Sequence, residues 1–174
     1  MKLILKTTVA CALAGLFGSR AHAAGLEIKV DIPRIDVAEY HRPYVAIWLE
    51  SPDRKTVRDL AVWYDHDMAR DEGKKWLKDL RQWWRISGRR QDSVADGVSG
   101  ATQPVGTHAL RLDAQDERLA GLAPGEYELV VEAAREKGGR ELLRLPLAWP
   151  PEAGKAVKAQ GESELGLVQA TPIQ

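Results

Sequence analysis

The chain has 174 residues, with 25 basic and 25 acidic side chains and a single cysteine. That length suits one domain with a core of its own, and zero formal charge argues against a general nucleic-acid binder, which carries a basic excess. One cysteine excludes an internal disulfide, a thiolate zinc site and an iron–sulfur cluster, and no CxxCH is present for a c-type haem.

Residues 1–23 have the pattern of a secretory signal: Lys2 and Lys6 at the start, an apolar run over 7–18, then Ala21-His22-Ala23 as a small–x–small cleavage site. The run is too short to cross a bilayer, and no later stretch reaches the roughly 18 apolar residues that a spanning helix needs. The chain is therefore expected in the periplasm and not itself membrane-spanning. Cys11 follows Thr8-Val9-Ala10, a poor lipobox. Cleavage after Ala23 removes Lys2, Lys6, Arg20 and Cys11, leaving a thiol-free domain over 24–174 with a formal charge of about −3.

Alternating or β-rich runs then recur at 26–32, 43–50, 56–64, 107–113, 127–135, 141–149 and, more weakly, 164–170. Turn signals separate them: Ser51-Pro52-Asp53, Ala123-Pro124-Gly125 and Gly138-Gly139. This spacing predicts a mainly β fold, an antiparallel immunoglobulin- or fibronectin-like sandwich. The approach to the fifth run, Leu122 to Tyr127, resembles the entry to a late strand in such domains. The long interruption at about 65–106 predicts a helical, tryptophan-rich insert. Over 74–86, Trp76, Leu77, Leu80, Trp83 and Trp84 fall on one helical arc of roughly 120°, with Lys74, Lys78, Arg81 and Arg85 opposite. Gly88 is a stop signal. Between 74 and 90 there are seven basic residues and one acid, Asp79. Two readings stay open: a cover helix with a solvated basic face, or a basic face that meets a phosphate, a membrane surface or another anionic partner.

Just after the helix lies Asp96-Gly97-Val98-Ser99-Gly100-Ala101-Thr102, followed by Gln103-Pro104. Its glycines permit close approach by a large group, and Thr102 offers an alcohol that can become a phosphoester. The plain alternative is a loop whose Ser and Thr bond the local backbone. The stretch is similar to the Asp-x-x-Ser/Thr-Gly-Ala-Thr signature of covalently flavinylated proteins outside the cytoplasm, among them the FMN-bearing subunits of sodium-pumping quinone reductase and Rnf complexes. In those, a periplasmic FAD-dependent flavin transferase attaches FMN to the final threonine by a phosphodiester. The resemblance implies Thr102 as the acceptor and Asp96, Ser99, Gly100 and Ala101 as the recognition frame. Unlike those subunits, this chain continues with Gln103-Pro104 where they carry a further hydroxyl residue.

Over nearly the whole mature chain the sequence resembles instead an exported family, domain of unknown function 2271. The carrying segments are His41-Arg42-Pro43-Tyr44-Val45-Ala46-Ile47-Trp48, Lys75-Trp76-Leu77-Lys78-Asp79-Leu80-Arg81 and the loop over 96–106. That resemblance implies a periplasmic electron-transfer setting beside PepSY-type membrane proteins and flavin transferases. Under this reading Trp83 or Trp84 stacks on the flavin, with Arg85, Arg89 or Arg90 near its phosphate, and the chain carries electrons with no substrate of its own. The alternative is an unmodified binding or adaptor domain that docks a membrane protein through the basic Trp-rich helix. Asp65-His66-Asp67, with His41 and His108, form a metal cluster only if the fold brings them together, and a solvated loop with structural histidines is the expectation. No catalytic residue is assigned: Gly-x-Ser-x-Gly and His-Glu-x-x-His are absent, and Ser99 and His108 form no evident pair.

Overall fold

A computed structural model describes residues 25–174; the leader expected at 1–23 lies outside these residues. The strands are β1 (Gly25–Ile32), β2 (Tyr44–Glu50), β3 (Val57–Trp63), β4 (Ser99–Gly100), β5 (Gly106–Leu112), β6 (Gly125–Ala134), β7 (Arg140–Trp149), β8 (Val157–Gln160) and β9 (Leu167–Ile173). They form two sheets, β5-β1-β9-β8 and β4-β3-β2-β6-β7, antiparallel except where β4 runs beside β3. The fold is thus the expected mainly β sandwich. The β3-β2-β6-β7 order matches the sheet of an immunoglobulin-like domain that carries its late strands, and Tyr127 Oη donates to the Ala123 carbonyl (2.9 Å) as the corner tyrosine of such domains does.

Alternation along the strands builds two cores. Leu26, Ile28 and Val30 of β1 face Val45, Ile47 and Leu49 of β2 and Leu129 and Val131 of β6 between the sheets. The intervening residues Ala46, Trp48, Val62, Val130 and Ala134 form a second cluster on the outer face of the larger sheet, with Leu77, Leu80, Trp83 and Val94 of the insert. β2 is therefore buried on both faces, which is why Val45 to Glu50 read as a nearly unbroken apolar run.

The insert is not one helix. α1 (Glu72–Lys75), a 3-10 turn (Leu77–Asp79), α2 (Arg81–Ile86) and a second 3-10 turn (Gly88–Arg90) follow one another, with a break at Leu80 (φ −74°, ψ 71°). The cause lies in β6. The fully buried Glu132 carboxylate accepts the backbone N–H groups of Gln82 (3.0 Å) and Trp83 (2.8 Å). A continuous helix would have spent both donors on its own carbonyls one turn earlier. Capping from the sheet therefore requires the helix to start afresh at Arg81, and it turns Leu80 and Trp83 onto the sheet face. A second carboxylate, Asp59 of β3, accepts from Trp83 Nε1 (3.0 Å), Ser87 Oγ (2.5 Å) and Gln91 Nε2 (2.9 Å) and fixes the far end.

The last expected run, 164–170, is displaced: β9 begins at Leu167, and β8, which the sequence did not single out, precedes it. The turn between them is clasped to the other sheet. Glu141 of β7 accepts the N–H groups of Glu162, Ser163, Glu164 and Leu165 at 2.6–3.0 Å. Arg135 forks onto Glu164 (2.9 and 3.0 Å), both side chains being buried.

Two outcomes follow. Glu132→Gln is expected to lower unfolding stability by roughly 2–3 kcal/mol, read from the urea midpoint, with proteolysis opening first within 65–106. For Glu141, burial pushes the carboxyl pKa up, but the four backbone N–H donors more than reverse this and hold it below the ordinary glutamate value. Its folded pKa being lower than its unfolded one, its stabilisation is present at neutral pH and is lost as pH falls through the depressed value. A pH series of melting temperatures should accordingly show a shallower acid decline in Glu141→Gln than in the parent chain.

Candidate functional site

Thr102 reaches its position through β4. The Val62 N–H donates to the Val98 carbonyl (2.8 Å) and the Tyr64 N–H to the Gly100 carbonyl (2.9 Å), so the loop is held to the buried strand β3. Ahead of it, the N–H groups of Val98 and Ser99 both donate to the Ala95 carbonyl (2.9 Å each), closing a turn that presents Asp96 to solvent. Beyond it, Gln103 Nε2 donates to the Ala101 carbonyl (2.9 Å) and His108 Nε2 to the Pro104 carbonyl (2.7 Å). Gly100 is required by close approach: an added Cβ would lie 3.0 Å from Trp63 Cδ1. Held at both ends, the loop leaves its side chains free. Among the described residues, neither the Ser99 and Thr102 hydroxyls nor the Asp96 carboxylate has a hydrogen-bond partner.

The half-buried Thr102 lies with Ala101 on the wall of a cavity of about 560 Å³. Segments far apart in sequence complete it: Tyr40, His41, Arg42 and Tyr44 from the entry to β2, Asp65, Asp67 and Met68 from the exit of β3, Trp76 and Asp79 from the insert, and Ala134 and Glu136 after β6. The volume falls in the range of small-molecule and cofactor sites, roughly 300–1,000 Å³. Trp76, expected on the buried arc of the helix, is 40% exposed: α1 ends at it, and the 3-10 turn that follows seats Leu77 on the core instead. Tyr40 and Tyr44 are half-buried, and burial is the main cause that pushes both phenol pKa values up, so both are protonated donors at neutral pH. The Tyr40 hydroxyl is buried with no hydrogen-bond partner among the described residues, while its ring lies 5.9 Å from the Arg135 guanidinium. His41 sits between Glu39 (3.2 Å) and Glu136 (3.7 Å), and Arg42 is exposed with no carboxylate partner among the described residues.

The remaining expected residues lie elsewhere. Trp83 is 1% exposed, locked by Asp59 into the second core, and Trp84 packs against that core at its edge. Neither lines the Thr102 cavity: the breaks in the insert carry them to the second core and away from the loop that they precede in sequence. Arg85, Arg89 and Arg90 line a different hollow, of about 500 Å³, that shares no residue with the Thr102 cavity. Lys74 and Lys75 of the basic face pair with Asp71 (3.3 Å) and Glu72 (3.4 Å). His66 approaches Asp67 (3.5 Å), and no group of three or more His, Asp or Glu among the described residues is placed to hold a metal ion.

What the sequence did not assign is the aromatic wall formed by Tyr40, Tyr44 and Trp76. The signal was present in the aromatic and cationic cluster Tyr40-His41-Arg42 just before β2, which lies outside the strand cores. For the loop itself, Gly100→Ala is expected to cost about 1 kcal/mol by pressing on Trp63, visible as a lower melting temperature with altered tryptophan emission.

No helix among the described residues is long and apolar enough to cross a membrane. No curated protein and no solved structure matches the chain. The sequence profile of a family described as a predicted periplasmic protein, DUF2271, matches residues 25–167, and the chain belongs to that family.

Proposed function

We propose that this protein is a periplasmic flavoprotein that carries FMN in phosphodiester linkage on Thr102 and passes electrons to or from a PepSY-type membrane partner. The observation that carries the reading is the Thr102 hydroxyl. It belongs to a flavinylation-type sequence, has no partner of its own, and opens on the wall of a cavity with three aromatic side chains. An ordinary loop of this composition spends its hydroxyls and carboxylate on the local backbone, and this one does not.

The residues present fit the group. Tyr40, Tyr44 and Trp76 supply aromatic surface on the cavity wall for a flat heteroaromatic ring. Arg42, free of carboxylates, supplies positive charge on the same wall, whereas Asp65, Asp67, Asp79 and Glu136 make the cavity acidic on balance. Loading is a phosphoryl transfer by the FAD-dependent flavin transferase. Thr102 Oγ attacks the FMN-side phosphorus of FAD, the Oγ–P bond forms, the pyrophosphate bond breaks, AMP leaves, and the hydroxyl proton passes to a base of that enzyme. When bound, FMN exchanges electrons singly or in pairs and so joins partners of unlike electron number. The chain's own part is to fix the attachment point on a braced loop, to shelter the ring among aromatic side chains, and to set the local charge. A covalent tether also prevents loss of the group by dilution outside the cytoplasm.

Co-expression with an active periplasmic flavin transferase tests this. The expected product carries one FMN-sized mass increment and visible absorption that survive denaturation, and Thr102→Ala carries neither. Trp76→Ala should retain the increment but show changed flavin fluorescence. An unmodified chain, alongside a labelled control substrate, overturns the proposal.

A further inference from the structure

The second hollow is argued independently of the flavin reading. It lies between the β2–β3 turn, which contributes Arg54 and Lys55, and the end of the insert, which contributes Arg85, Arg89 and Arg90. Five cations surround about 500 Å³, and no carboxylate is among the lining residues. The network beneath them compensates this charge only in part. Asp59 is occupied by three donors, Trp83, Ser87 and Gln91. Glu50, 3.7 Å from Arg54, is already shared between Trp48 and Arg144. Lys55 has only the exposed Asp53 (3.4 Å), a pair worth little in water. Arg85 donates to the neutral Gln82 side chain, and the guanidinium groups of Arg89 and Arg90 have no ion-pair or hydrogen-bond partner among the described residues.

Bringing five exposed like charges around one concavity costs electrostatic energy, and the Asp59 network fixes the backbone of the insert that carries three of them beside the β2–β3 turn that carries the other two. Guanidinium groups present forks that match phosphate oxygens in pairs, and a concave hollow of this size suits a compact polyvalent anion better than an extended acidic segment. We infer that this cleft binds a phosphate group, either of a soluble phosphate ester or of a phospholipid headgroup, at a site separate from Thr102. The basic character anticipated along a single helix face is thus gathered instead at one end of the insert and completed by a hairpin from the sheet.

Calorimetric titration of the purified chain with pyrophosphate, and co-sedimentation with phosphatidylcholine vesicles with and without phosphatidylglycerol, test the site and separate the two sources. Arg89→Gln with Arg90→Gln should weaken binding by at least about tenfold, with a steep dependence on salt. Arg34→Gln with Lys158→Gln removes the same charge at exposed positions outside the cleft and should leave binding unchanged. Binding of pyrophosphate alone assigns a soluble ester; binding of the anionic vesicles alone assigns a headgroup. Absence of binding to both probes, an equal loss in the control pair, or preference for a poly-glutamate peptide over both overturns the inference. Because Thr102 is untouched, flavin loading of these variants separates failure here from failure of the proposed function.

Discussion

The Glu132 carboxylate is the constraint on which the rest of this structure turns. It stands fully buried on β6, on the face that also carries Ala46, Trp48 and Val130, and its two oxygens take backbone N–H groups from the first turn of α2. Burying a charge there is tolerable only because those donors and Arg140 meet it. The consequence propagates outward. With α2 nailed to the sheet, Leu80 and Trp83 form the second core, the segment before the break turns Trp76 away from that core, and the cavity at Thr102 acquires one of its walls. Asp59 does the equivalent work at the other end and thereby gathers the arginines of the cationic cleft. Two carboxylates on adjacent regions of one sheet thus determine the position of both hollows.

The sandwich was legible because its signal is local. Alternation, turn residues and the tyrosine corner each lie within a few residues, and six of the anticipated runs appear within about two residues of their observed ends. The β8 segment was not legible, since Val157 to Gln160 offers only two apolar residues on an edge. The break in the insert was not legible either, because the group that imposes it lies 50 residues away in sequence. The helical arc drawn through Trp76, Leu77, Leu80, Trp83 and Trp84 is geometrically sound for a continuous helix; tertiary capping overrode it. The same cause explains the candidate site. The motif ending at Thr102 is contiguous and could be read directly, whereas Tyr40, Tyr44 and Trp76 meet it only through the closure of the sheet and the break in the insert.

The two hollows differ in sign. The one at Thr102 combines aromatic faces with a majority of carboxylates, and the one at the end of α2 has cations alone. Overall neutrality therefore describes an average over regions that attract opposite kinds of molecule. The separation also removes an objection to a negatively charged ligand beside an acidic cavity, since the two demands fall on different surfaces built from different segments.

The place of β9 bears on the order in which the domain can close. β1 pairs with β9 so that Gly25 lies opposite Ile173, and β9 in turn carries β8. The first and last strands of the domain are therefore neighbours at the middle of one sheet, not at its edges. Until the final residues have emerged, β1 has only β5 beside it and its other edge stays open. The four-stranded sheet is therefore completed only when β9 pairs with β1, so closure of the domain waits on the pairing of its two most distant strands.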